Sequence, residues 1–141
     1  MRFIPPTLFF AMILWFIFLA DSGQAGWLRD IARQLPYGDK FGHFILFGLL
    51  TLLLNIALRF SHWRVGFINI QKGSVYVLVF ALVEELSQYY FPSRTVDIDD
   101  VIADLIGVGV FTIISVMIEK FLKWFQNTKQ PSVNTRSESE K

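Results

Sequence analysis

Four apolar runs, each near the length needed to cross a bilayer, constrain this chain more than any other feature. A spanning helix needs roughly 20 largely apolar residues, within a range of about 17–25. Residues 3–20 carry no charge, and residues 41–58 hold only His43 and Asn55 as strongly polar members. Residues 73–91 contain Glu84, Glu85 and Gln88, and residues 100–118 contain Asp104. Composition agrees: 53% of the 141 residues are hydrophobic and 18% are charged, against about 45–50% apolar and 25% charged in soluble domains. The expected fold is all-α: a polytopic membrane protein, an antiparallel bundle of four transmembrane helices over residues 1–125, with a polar, disordered cytoplasmic tail over 126–141. A net charge of +1 and no cysteine exclude a polybasic nucleic-acid binder and a disulfide scaffold.

Orientation follows from the basic residues. Arg2, Arg59, Arg64, Lys72, Lys120, Lys123 and Lys129 fall on one side, and Arg29, Arg33, Lys40 and Arg94 on the other. Seven against four predicts both termini in the cytoplasm of a bacterial cell, with the first and third loops facing outward. Arg2, the apolar run and the small residues Gly23 and Ala25 imitate a cleaved signal peptide. The run nevertheless exceeds the roughly 7–15 residues of a signal core and is expected to stay as a helix. In the first loop, Trp27, Leu28, Ile31, Ala32 and Leu35 share one helical face opposite Arg29, Asp30, Arg33 and Gln34, which suits either a short interfacial helix or a connector packed on the bundle.

An ionisable residue inside a spanning helix costs about 2.5–3.5 kcal/mol at its centre on insertion scales. Those of this chain lie at one end. At 1.5 Å per residue, Glu84 and Glu85 sit about 10 Å below the outer end of the third helix, with Gln88 one turn above, and Asp104 about 6 Å below Asp100. His43 opens the second helix from the same side, with Asp39 four residues earlier. Asp97, Asp100, Asp104 and Gly107 recur at helical spacing and form one stripe. Of the adjacent Glu84 and Glu85, one is expected to face the pocket. Plainer roles compete: Asp97, Asp99 and Asp100 as helix caps, His43 bonded to Asp39, and Arg94 paired with the acids.

Asp39–Phe44 (DKFGHF), Glu84–Arg94 (EELSQYYFPSR) and Asp97–Gly107 (DIDDVIADLIG) together resemble the VanZ-like membrane proteins. The resemblance covers the second to fourth helices and places the family signature on Asp39, Lys40, His43, Glu85, Gln88, Pro92, Arg94, Asp97, Asp100 and Gly107. Asp104 stands where members often carry Asn, and Ser93 where many carry Gly. The family takes its name from an accessory protein of teicoplanin resistance, so the resemblance implies a role at the bacterial cell envelope.

One reading is therefore an enzyme or binder acting on a lipid head group or lipid-linked envelope precursor at the outer leaflet. His43, Glu85 and Asp100 are its candidate catalytic groups, and Lys40, Gln88, Arg94, Asp97 and Asp104 its substrate-binding groups. Arg94 and Lys40 would hold an anion, His43 and Glu85 would exchange protons, and Asp97, Asp100 and Asp104 would orient them or hold a divalent cation. Asp39, Pro92 and Gly107 are assigned to structure. The competing reading is a non-catalytic protein whose polar cluster holds the helices together. Ion transfer is disfavoured because the polar residues do not continue into the inner half.

Overall fold

The computed structural model describes residues 1–26, 30, 34, 37–92 and 97–129. It is mostly helical, with α1 at Ile4–Asp21, α2 at Gly38–Ala57, α3 at Lys72–Ser87 and α4 at Ile98–Lys129. Among the described residues α1, α2 and α4 are long and apolar enough to cross a membrane. The interfacial segment expected at 27–35 and the polar stretch beyond Lys129 lie outside the described residues, apart from Asp30 and Gln34.

Local chemistry explains the helix ends. Pro5 and Pro6 sit in the first turn of α1, where a missing N–H leaves no bond unmade. Gly23, at φ 73°, closes that helix: its N–H reaches Ala20 O at 3.1 Å and the Gln24 N–H reaches Leu19 O at 3.0 Å. This paired closure is the usual left-handed helix stop. The same closure ends α2 without glycine, through Arg59 and Phe60, both at φ 54°.

The chain is mostly helical, as expected, with one addition: β1 (His62–Val65) and β2 (Ile68–Gln71) form an antiparallel hairpin pairing Val65 with Ile68. Gly66, at φ +59°, supplies the first position of its two-residue turn, which few other residues adopt cheaply. The third helix is also shorter than the 73–91 expected. It tightens into a 3-10 turn at Gln88–Tyr90, and Phe91 is extended at φ −110°, ψ 119°, because the ring of Pro92 disfavours a helical residue before it. In contrast α4 continues past 118 through residues 126–129, which therefore belong to the helix and not to a tail.

Ile13, Phe47, Leu50, Val77, Ala81 and Val108 form the buried apolar core, so all four helices meet there. The closest pair is α2 with α4. Lys40 meets Asp100, His43 meets Asp104, the Phe44 carbonyl faces Gly107 and Gly48 faces the Phe111 ring. Residue numbers rise together along both helices, so they run parallel. The end of α3 meets the start of α4 through Glu85 and Asp97, and the residue before α3, Gln71, meets Glu119; α3 therefore runs antiparallel to α4.

Candidate functional site

Two parallel helices beginning at one end present two sets of free N–H groups and two positive dipole ends there, a setting that suits carboxylates. Asp39 occupies the first turn of α2, and Asp99 and Asp100 that of α4. Asp97 caps α4: its Oδ1 accepts the Asp99 N–H at 2.9 Å and its carbonyl accepts the Asp100 N–H at 3.0 Å.

Lys40 ties the two helices together. Its Nζ donates to Asp97 Oδ2 at 2.8 Å and Asp100 Oδ1 at 3.2 Å, and lies 3.5 Å from Asp99 Oδ2. An ammonium has three donors, and here three carboxylates surround it, so Lys40 is committed to acids and not free to hold an anion. The Lys40 hydrogen bond, helped by the Asp99 N–H, holds the Asp97 carboxyl below its ordinary value of 3.8. A depressed carboxyl stabilises the fold above its unfolded value, and that contribution fades as pH falls through its folded value. Acidification from pH 5 to pH 2 is expected to lower the thermal midpoint of the wild type more than that of Asp97→Asn, measured in one detergent.

Deeper in, His43 Nδ1 lies 3.1 Å from Asp104 Oδ1, and the two side chains are 15% and 3% exposed. A carboxylate on Nδ1 selects the tautomer protonated there and leaves Nε2 to exchange a proton. Among the described residues Nε2 has no partner. Asp39 is exposed and leaves His43 to Asp104. The second Asp104 oxygen, Oδ2, is buried with no hydrogen-bond partner among the described residues. Such an atom needs a proton, a water or a ligand donor.

At the end of α3 both glutamates are buried, where one was expected to face the site. The reason is Gln88, whose Nε2 donates to Glu84 at 3.1 and 3.2 Å and to Glu85 at 3.0 Å. Its position three and four residues after them, in the 3-10 turn, sets one amide over both carboxylates. Glu85 Oε1 also accepts the Asp97 N–H at 2.8 Å. The structure thus brings Lys40, His43, Glu85, Gln88, Asp97, Asp100 and Asp104 together. Pro92 sits in an exposed turn, Gly107 belongs to the α2–α4 contact, and Arg94 lies outside the described residues. Among the described residues no group of three or more His, Cys, Asp and Glu is arranged to hold a metal ion.

Beside the cluster, a cleft of about 510 Å³ runs between the start of α2 and the second and third turns of α4. Tyr37, Phe41, Phe44, Ala103 and Ile106 line it, and it touches the polar network only at Lys40. Sequence reasoning did not pick out this apolar wall. Phe41 and Phe44, three residues apart and stacked at 6.3 Å, were the available signal.

The model of the VanZ/LLP1 family matches residues 6–123. An uncharacterized protein of Schizosaccharomyces pombe is 29% identical over 89 residues, covering 63% of this chain. The chain matches about half, 53%, of the length of that relative. No solved structure matches significantly.

Proposed function

We propose, from the premise that this multi-pass membrane protein belongs to the VanZ/LLP1 family, that it binds the head group of a membrane lipid or lipid-linked cell-envelope component and exchanges a proton with it. The pairing of His43 Nδ1 with Asp104 carries this reading. Asp104 orients the ring, and Nε2 accepts or returns the proton. The apolar cleft holds the lipid chain, and the head group reaches the buried acids past Lys40. Asp100, Asp97 and Lys40 fix the rim, while Glu85 and Gln88 hold the floor and lock α3 against α4. Arg94 is assigned to the anionic part of the head group, because Lys40 is already paired.

Within this reading α3 completes a four-span bundle. The contacts of Glu85 with Asp97 and of Gln71 with Glu119 support that, since they match α3 and its flanks to the part of α4 between those residues. Both termini are assigned to the cytoplasm of a bacterial cell and the site to the outer leaflet of its membrane. A change in lipid-linked precursors there links the protein to teicoplanin-type resistance.

The mutual bonding of Lys40, Gln88 and the acids favours a second reading, in which the cluster only fastens three helices. Lipid and cell-wall precursor profiles of a deletion strain complemented with wild type, His43→Ala or Glu85→Gln separate the two. At matched membrane levels, His43→Ala is expected to lower formation of the wild-type product by about 100-fold or more, the scale of lost proton transfer. Full product with His43→Ala would remove the proton-exchange reading. A fall in membrane level that accounts for the whole loss would favour the fastener.

A further inference from the structure

We infer that the cleft between the β-hairpin and the far end of α4 binds the phosphate of an anionic phospholipid head group. This cleft, of about 700 Å³, is lined by His62, Arg64, Asn69, Glu119, Lys120 and Lys123 among others. Glu119 follows Ile98 by 21 residues, about 31 Å along a helix, which matches the roughly 30 Å of a hydrocarbon core. The cleft therefore lies at the membrane boundary opposite Lys40.

Its charge is divided unequally. Glu119 accepts from Lys123 at 2.6 Å, lies 3.3 Å from His62 Nε2 and accepts from Gln71 at 3.5 Å. The one carboxylate lining the cleft is thereby spent on Lys123, His62 and Gln71. Arg64 and Lys120 have no partner among the described residues. Two cations unpaired among the described residues, with no free acid beside them there, suit a phosphate carrying net negative charge better than a zwitterionic head group. An arginine fork can hold two phosphate oxygens, a lysine acts as a point charge, and the Asn69 amide adds a neutral donor.

Apolar groups fix the depth. Val65, Phe67 and Ile68 are exposed on the hairpin, with Phe67 fully so at its tip. On neighbouring faces of α4, Phe121 and Trp124 are exposed with ring centroids 6.1 Å apart. Trp63 packs its edge on Tyr76 at 5.5 Å and lies under Lys72 Nζ at 5.7 Å. Aromatic groups of this kind rest at the boundary between acyl chains and head groups. With the hairpin and this stretch of α4 at that boundary, Arg64 and Lys120 stand at the level of the lipid phosphates.

The full-length protein in nanodiscs of phosphatidylcholine with 20% phosphatidylglycerol tests this, with retained lipid counted by native mass spectrometry after release. Wild type is expected to retain phosphatidylglycerol over phosphatidylcholine, and Arg64→Gln/Lys120→Gln to lower that preference about tenfold or more. Arg59→Gln, which removes a basic residue near the hairpin but outside the cleft, is expected to change it less than twofold. Equal losses in the two variants would reduce the effect to general surface charge and overturn the site, as would no loss in the double variant. Displacement of the lipid by millimolar inorganic phosphate would overturn a lipid as the source of the phosphate. Both replaced side chains are exposed, and the single variant Arg64→Gln gives the same comparison should the double variant not be recovered.

Discussion

Replacing Gly107 by alanine is expected to cost about 2–3 kcal/mol of folded stability, read as a shift of the unfolding transition in mixed micelles. A Cβ at this position would meet the carbonyl oxygen, carbonyl carbon and Cα of Phe44 within contact distance. Backbone cannot rotate aside, so α2 and α4 must separate, and overpacking that moves backbone carries costs of this order. Two neighbouring glycines make the prediction specific. At Gly48 the obstacle is the Phe111 ring, which can turn, so Gly48→Ala should cost less. At Gly109 nothing lies within 4 Å, so alanine there should stabilise by up to about 1 kcal/mol through the helix preference for Ala over Gly. Equal losses at all three positions would show that α2 and α4 do not touch at Gly107.

Asp104 is the second position with a large expected effect. Asp104→Ala removes the acceptor from His43 Nδ1 in a site where the carboxylate is 3% exposed. Breaking a buried pair by removing one partner costs about 3–5 kcal/mol, so folded protein should fall sharply. Asp104→Asn keeps an oxygen for His43, removes a buried charge and turns the unpartnered side of the group into a donor. It is expected to preserve the fold within about 1 kcal/mol while weakening proton exchange at His43. Thermal stability in detergent and the precursor profile, measured on both variants, would show the two effects part company. A site that serves only to fasten helices would instead lose both together.

Much of the fold is legible in the apolar runs, because burial in lipid demands length and apolarity and both are one-dimensional. Helix ends were less legible: the expected third helix runs to 91, although Pro92 ends the helical geometry earlier, and the closure of α1 at Gly23 depends on a positive φ that composition alone does not display. The hairpin was missed because its period is short and its polar residues look like loop, although two four-residue segments flanking Gly66 and Phe67 carry the pattern. Which residues could form the site was legible from their cost in a membrane. How they pair was not. Rules for short connections speak only to consecutive helices, whereas the tightest contact joins α2 to α4. That pairing sends Lys40 to Asp97, Asp99 and Asp100, and His43 away from Asp39 to Asp104.

The length of α4 has a mechanical consequence. It is a single helix of 32 residues without proline, and Gly107 and Gly109 are its least stiff positions. One end is bolted to Lys40 and His43, and the other to the hairpin through Glu119. Any tilt of the exposed segment beyond Glu119 must pass Gly109 and Gly107, where the Phe44 backbone of α2 lies against α4, before it reaches Asp104.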